Sequence, residues 1–415
     1  MPQRGIFFGW YIVGASLALF VLTGGLIFYG FPVFFDAILD EYPWSTAAAA
    51  LAIAIVRLEG GVLGPLWGWL VDRVGTRAPM LVGTALMAAG YVILSRIDSL
   101  SALYLGYALV GLGMSVYYPA PIAAISNWFR TRRALALGIA STGFGLSGVM
   151  AHVLDWGIQV YGWRSMFIAA GFATLALGVP LSLVLRHRPE PYGYSVDGIP
   201  APAQGDGETD QDVQFTDSSF TAAEALRTRA LWVLVGLLAL SWVGFVGLVP
   251  HMVTYLTDVG IEREFVTLSI MGMTTATVLG RVGGGALGDR IDKRRVMAGG
   301  FLVLPVGLLL FATISQPWQL ALFVVVAGPS VGSLLPIVPA LIGDYFGTRS
   351  FALILALVSA PAALIWFATP SAVGWVFDHY GTYQPAWLAL AGVTLIGLPL
   401  VLMLRPPKPP DRSGP

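Results

Sequence analysis

A ten-residue phrase stands twice in this chain, 217 positions apart, and each copy closes an apolar run. The first copy is Gly68-Trp-Leu-Val-Asp72-Arg73-Val-Gly75-Thr-Arg77 and the second is Gly285-Ala-Leu-Gly-Asp289-Arg290-Ile-Asp-Lys293-Arg294. The same offset superimposes Phe129-Arg-Thr131-Arg132 on Phe346-Gly-Thr348-Arg349, Pro119 on Pro336 and Gly111 on Gly328. A register held over that distance means two homologous halves. Both halves are apolar: 56% of the 415 residues are hydrophobic and 11% are charged, with a mean hydropathy of +0.76. One membrane anchor on a soluble domain would not raise the average so far.

Crossing the hydrocarbon core takes about 20 apolar residues in a helix. On that ruler the chain holds twelve spans, near 7–38, 45–71, 78–96, 100–128, 133–157, 163–186, 229–257, 263–288, 295–314, 317–343, 349–376 and 382–404. The expected fold is an all-α membrane protein with 12 transmembrane helices in two pseudo-symmetric six-helix halves. These are a bundle over 1–186, a cytoplasmic linker over 187–226, a second bundle over 227–405 and a cytoplasmic tail over 406–415. The run from Phe7 is too long for a cleavable signal and carries no small-residue cleavage site, so it reads as the first span. The linker holds Pro189, Pro191, Gly193, Pro200 and Pro202 and an acidic stretch from Asp206 to Asp217, a composition that predicts a flexible hinge. Its end, Thr221-Ala-Ala-Glu224, fits a capping box that opens a short helix. With the N-terminus inside, 18 of the 23 Lys and Arg residues lie in cytoplasmic segments, while Arg96, Arg164 and Arg263 face outside. That asymmetry places both termini in the cytoplasm.

Net charge is zero, so no global field points to nucleic acid. With no cysteine and four histidines at no ligand spacing, neither thiolate chemistry nor a metal site is expected. No phosphate-binding glycine loop or nucleophile motif appears, so the chain does not read as an enzyme and no cofactor is implied. An internal repeat in so apolar a chain is the build of a secondary transporter, whose substrate sits near mid-membrane. Its energy must come from an ion or substrate gradient. A membrane receptor built on a transporter-like body would add a folded signalling domain, and 187–226 is too short for one. The lipid bilayer is the implied surrounding, and a monomer is expected.

The repeated Gly-x-Leu-x-Asp-Arg-x-Gly-x-Arg phrase after the second and eighth spans resembles the signature loop of the major facilitator superfamily, and the resemblance covers essentially the whole chain. Finer features are Gly9-Trp10-Tyr11-Ile12-Val13, Pro43-Trp44-Ser45, Asn127-Trp128-Phe129 followed by Arg133-Ala-Leu-Ala-Leu-Gly138, Tyr161-Gly162-Trp163-Arg164, and Pro191-Tyr192-Gly193 with Asp197-Gly198. Together they are similar to the bacterial monocarboxylate transporter and oxalate/formate antiporter branch. That resemblance implies the major facilitator fold and a place in the bacterial cytoplasmic (inner) membrane.

In the phrase itself, Asp72 and Asp289 sit at helix ends, where a carboxylate can meet a neighbouring helix N-terminus and nearby arginines. Gly68, Asp72, Arg73, Arg77, Asp289, Arg290 and Arg294 are therefore the expected gating residues, holding helix ends together in one state and releasing them in another. The glycines Gly60, Gly64, Gly68 and Gly280, Gly284, Gly288 recur at four-residue spacing, a small-residue face for close helix approach.

A charge inside the membrane normally faces a cavity or a partner. Arg281 lies eight residues before Asp289, so about 12 Å up the helix and near the midplane. Its repeat partner is Gly64, so the first half has no counterpart. A guanidinium can hold a carboxylate through two parallel hydrogen bonds, and the resemblance agrees, since an eighth-span arginine binds carboxylate in this branch. Tyr29, Tyr117, Tyr118, Trp242, His251, Trp366 and Phe367 are further candidates to line the cavity. Tyr118 stands out because Tyr-Tyr-Pro matches the branch's fourth-span pattern. His251 stands out because it follows Pro250 at a helix break. Arg57 and Glu59 share the second span but point to different faces, and His152 and Asp155 are spaced to touch.

A dicarboxylate would favour two cations in the cavity. The oxalate transporters that this chain resembles carry a lysine on span 11, whereas residues 351–377 hold no Lys or Arg. One central cation with apolar walls suits a small monocarboxylate anion such as lactate, pyruvate or acetate, taken up with a proton. The span-1 lysine and span-8 aspartate of animal monocarboxylate carriers are also missing, Thr277 standing one turn before Arg281. The proton-coupling candidates are therefore His251, Asp258 and Glu59. Arg57 keeps a dicarboxylate open as the second cation, and a carboxylate exchanger is the alternative function.

Overall fold

The computed structural model describes residues 6–198 and 219–409, and the acidic stretch from Asp206 to Asp217 lies outside them. The described residues form helices joined by short loops, and eleven helical stretches are long and apolar enough to cross a membrane. One of them, Arg133–Val184, runs for 52 residues and is broken at Gly162, whose φ of 78° is not helical. It therefore holds two spans, which brings the number to the twelve expected. In chain order, spans 1 to 4 are Phe8–Glu41, Thr46–Val74, Arg77–Leu94 and Leu100–Trp128. Spans 5 and 6 are 133–161 and 163–184. Spans 7 to 12 are Arg229–Asp258, Arg263–Arg290, Lys293–Ala312, Pro317–Phe346, Phe351–Tyr380 and Gln384–Met403.

Local chemistry explains the boundaries. Ser45 caps span 2 by accepting a hydrogen bond from the Ala48 amide, and Thr228 caps span 7 through the Leu231 amide, each satisfying an N–H that the helix cannot. The box at Thr221 and Glu224 forms as the spacing predicts and opens the five-residue helix Ala222–Leu226. Within span 1, residues Gly24–Tyr29 widen into a π-helical turn. Span 4 unwinds into turns over residues 115–118 before Pro119 restarts it, whereas span 10 is continuous. This difference shifts the repeat. Spans 4 and 10 end at Trp128 and Phe346, so there the register is one residue longer than the signature loops suggest, and Phe346 corresponds to Trp128 instead of Phe129.

The chain divides into two compact units. One comprises Met1–Thr131, Ala140–Ser219 and Thr348–Leu357; the other comprises Arg132–Ile139, Phe220–Gly347 and Val358–Pro415. Each unit thus contains the first turns of one span whose remainder belongs to the other.

In the first unit, the segment after span 6 is folded onto the ends of spans 3 and 4, so the described beginning of the linker is not the free hinge its composition predicts. Thr76 Oγ1 donates to the Leu185 carbonyl at 2.8 Å, Trp128 Nε1 to the Arg186 carbonyl at 2.9 Å and Asn127 Nδ2 to the His187 carbonyl at 2.8 Å. The Arg186 guanidinium lies over the rings of Phe8 and Tyr192, 4.0 and 4.2 Å from their centroids. In the second unit, the linker's other end is held where the Phe220 amide donates to the Phe346 carbonyl at 2.9 Å.

This packing buries His187, and burial, reinforced by the charge of Arg188, lowers its pKa from 6.5 to about 4. The folded state therefore keeps the imidazole neutral while the unfolded chain protonates it below 6.5. The stabilisation is complete above that pH and is lost as pH falls through 6.5 towards about 4. The apparent melting temperature in detergent should drop over that window, and His187→Gln should flatten the drop while leaving the neutral-pH value nearly unchanged. An equal acid sensitivity in the variant would show that other groups cause it.

Candidate functional site

Spans 2 and 8 end in a carboxylate aimed at the start of another helix. In the first unit, Asp72 accepts hydrogen bonds from the amides of Ala352 and Leu353, at 3.0 and 2.9 Å, one to each oxygen. In the second unit, Asp289 accepts from the amides of Ala134 and Leu135, both at 2.9 Å. These are first-turn N–H groups of spans 11 and 5, donors without a partner inside their own helix and at the positive end of its dipole. The approach is close because both copies place a glycine one turn earlier. A methyl group on Gly68 would lie 2.6 Å from the Ala352 carbonyl oxygen, and one on Gly285 would strike the Ala134 carbonyl.

The four-residue glycine ladders are not equivalent. Gly280 and Gly284 turn towards Pro329 and Ser333 of span 10, while Gly64 and Gly68 meet Ala356 and Ala352 of span 11.

The arginines expected beside the signature carboxylates bond elsewhere. Arg73 is exposed over Trp69, Arg77 lies over Tyr192 and Arg290 is exposed. Arg294 pairs with Asp292 at 2.6 Å, and that hydrogen bond holds the Asp292 carboxyl below the usual range. A cluster that the sequence reading did not include sits beside Asp289. Asp344, at the end of span 10, takes Arg133 on one oxygen and Lys293 on the other, each at 2.8 Å. Its signal was the Arg-Thr-Arg-Arg run at 130–133, which places Arg133 at the helix start that Asp289 caps.

Deeper in the second unit is Arg281, 3% exposed although charged. Thr277, one turn away, is buried too, its hydroxyl donating to the Met273 carbonyl at 2.7 Å. The Arg281 guanidinium carbon lies 5.9 Å from the centroid of Trp242, within cation–π range. The Trp242 ring continues to Trp366 at 6.3 Å and to Phe245 at 5.3 Å. Trp366 Nε1 donates to the Ala239 carbonyl at 2.9 Å. Trp242 Nε1 is buried and finds no acceptor among the described residues. An indole nitrogen can only donate, so an unused donor beside a guanidinium suits an anion.

The other candidates separate. Tyr117 is 2% exposed and its hydroxyl shares a 2.6 Å hydrogen bond with Thr84 of span 3, inside the helix packing. Tyr118 is half-buried and Tyr29 is 40% exposed, close to Gly148. His251 sits in the broken turn of span 7, where Nε2 bonds the Pro370 carbonyl at 3.0 Å and the ring lies 5.3 Å from Tyr383. Asp258 is exposed at the end of the same span. Asp155 bonds to Gln159 at 2.9 Å and His152 is exposed. Arg57 is exposed, and Glu59 is half-buried with Oε2 buried and unpartnered among the described residues.

A comparison with known families decides what this scaffold is. The profile of the Major Facilitator Superfamily matches residues 6–284 and 252–415 in two overlapping stretches, together nearly the whole chain. The chain belongs to the Major Facilitator Superfamily. It is 26% identical to an oxalate:formate antiporter of Oxalobacter formigenes over 343 residues, 81% of this chain and 77% of that protein. It is 27% identical to monocarboxylate transporter 12 of Xenopus laevis over 425 aligned positions, 97% of this chain and 89% of that one. Among solved structures, the Escherichia coli fucose:proton symporter superimposes with a TM-score of 0.71 at 14% identity, covering 95% of this chain and 98% of that one. The human organic anion transporter MFSD10 does so at 0.72 and 14%, covering 94% and 98%. This superfamily member is a multi-pass membrane transporter and not an enzyme.

Asp72→Asn and Asp289→Asn each remove the charge that strengthens two amide hydrogen bonds. If these caps gate the cycle, each variant should slow transport by roughly tenfold, the size of one weakened charge-assisted bond. Equilibrium binding of substrate should change far less. Reconstituted flux measured beside ligand binding separates the two, and a pure loss of binding with flux per bound carrier intact would contradict the assignment.

Proposed function

We propose that this transporter moves a small monocarboxylate, of the lactate, pyruvate or acetate type, together with a proton by alternating access across a bacterial cytoplasmic membrane. The observation that carries the reading is Arg281, a buried guanidinium on a membrane span beside an indole donor that has no acceptor among the described residues. Placing a charge in hydrocarbon costs several kcal/mol, and such residues face ligand pathways or partners. A carboxylate suits both groups: an oxygen pair matches the guanidinium fork and a lone pair can accept the indole N–H. Names of the relatives support the same class, since the antiporter carries oxalate and formate and the others are monocarboxylate transporters.

Tyr29 and Tyr118 keep accessible surface in the first unit, whereas Tyr117 and His251 are engaged in helix contacts. The anion-binding role therefore rests on Arg281, with Trp242 as its aromatic neighbour. A small acid fits better than a dicarboxylate because span 11 carries no cation between Phe351 and Phe377. Exchange of two carboxylates is the second reading, favoured by the similarity to the oxalate:formate antiporter.

Purified protein in proteoliposomes tests this with radiolabelled lactate, pyruvate, acetate, formate and oxalate. Arg281→Gln should raise the apparent KM by roughly 30-fold or abolish saturable uptake, as expected for losing at least about 2 kcal/mol of charged hydrogen bonding. Arg281→Lys keeps the charge but loses the fork and should fall between. Near-normal uptake by a folded Gln variant would remove Arg281 from the site. Accumulation in empty vesicles driven by outside acid and insensitive to an imposed potential supports monoanion–proton symport. Uptake only after preloading with a second carboxylate supports exchange.

A further inference from the structure

We propose that Glu59 is the proton-carrying group of the transport cycle, an assignment that rests on the symport reading above. Glu59 is the fourteenth residue of the 29-residue span 2, so it stands at mid-helix. It lies thirteen residues before Asp72, about 20 Å from the capped end of the span. A carboxylate at that depth must be paired, neutral or wet. It is not paired: no salt bridge or hydrogen bond among the described residues reaches it, and its Oε2 is buried.

That oxygen lies against Gly111 on span 4, where a methyl group would collide with it, and glycine offers it no polar side chain. Charged and titratable groups on the neighbouring elements are directed elsewhere. On span 2 itself, Arg57 is exposed and two positions away, on another face. On span 4, Tyr104 donates to the Ala48 carbonyl, and Tyr107 is buried against Phe31. Tyr118 lies seven residues beyond Gly111, at the end of the unwound turns over 115–118. On span 1, Asp36 and Asp40 lie in the last two turns of the helix. The part of span 11 that belongs to this unit carries only Arg349, just before the helix begins, and it meets span 2 at Gly64 and Gly68, one turn or more away.

The physical consequence is a carboxyl that is stable here as the neutral acid and costly as the anion. It can take a proton where water reaches it and give it up when its surroundings become wet or positive. The other two candidates fit less well. His251 already spends Nε2 on the Pro370 carbonyl, and Asp258 is exposed at the end of span 7. The repeat places Ala276 at the position that corresponds to Glu59, so the group is single in the molecule, as one proton per monoanion requires.

The experiment compares two kinds of flux in proteoliposomes, using the member of the carboxylate panel that the wild-type protein exchanges. Counterflow from preloaded vesicles needs the loaded carrier to move both ways, and a permanently protonated site allows it. Net accumulation driven by outside acid needs the proton to leave. Glu59→Gln mimics the neutral acid, so it should cut acid-driven accumulation by more than about tenfold and leave counterflow within about twofold of wild type and independent of pH. Glu59→Asp, which keeps a titratable carboxyl, should restore part of the accumulation. A Gln variant that loses both fluxes, although folded by its melting profile, assigns Glu59 a structural role and overturns the proposal; so does one that keeps both. Wild-type protein that exchanges but never accumulates with acid also overturns it, leaving the carboxylate site standing. Wild-type protein inactive on the whole panel refutes the carboxylate reading and the proton assignment with it.

Discussion

A carboxylate on the first-turn amides of a neighbouring helix is the contact that organises this molecule. It occurs at Asp72 and at Asp289. Asp197 makes a related contact with a loop, its two oxygens accepting the Arg130 and Thr131 amides at 3.0 Å just before span 5 begins. The physics of the two helix contacts is the same. A helix begins with N–H groups that have no internal partner and with the positive end of its dipole, and one carboxylate satisfies both needs. Because Gly68 and Gly285 carry no side chain, the backbones come near enough for it. The compact units follow from these contacts: the segments Thr348–Leu357 and Arg132–Ile139 group with the aspartates that cap them. Asp197 achieves its contact with φ at 60°, the single positive φ of a non-glycine among the described residues, a conformation that costs energy and persists where a contact holds it.

The frame is duplicated and the chemistry is not. Arg281 corresponds to Gly64, and Glu59 to Ala276, so each ionisable group inside the apolar slab occurs once. Their surroundings differ from those of charges at the helix ends. Arg164 and Glu41 form an exposed pair at 2.7 Å, which contributes little because water solvates both partners anyway. Arg281 and the Glu59 oxygen are shielded, where water cannot solvate a charge and its cost is far higher.

How much was legible beforehand depends on the range of the interaction. Apolar length and turn residues placed all twelve spans, because a helix in hydrocarbon must satisfy its own backbone and so declares itself locally. The break between spans 5 and 6 was readable at Gly162, and the box at Thr221 and Glu224 was readable from four residues. The linker was misjudged at its described ends. Prolines and polar residues predict freedom, but the His187 carbonyl is held by Asn127, and Asp197 binds the Arg130 and Thr131 amides, partners more than fifty positions away.

The sequence by itself determined the membrane class, the twofold repeat, the signature carboxylates and the one arginine deep in the second half, since composition, periodicity and charge position are properties of single segments. Only the tertiary structure decided which amides those carboxylates cap, and that Arg133 and Lys293 bind Asp344 instead of leaving the task to the signature arginines. It alone separated Tyr117, bound to Thr84, from Trp242, whose indole donor beside Arg281 finds no acceptor among the described residues. The reason is geometric. A side chain's direction and its partner depend on how helices distant in sequence rotate against each other, and no local pattern encodes that rotation.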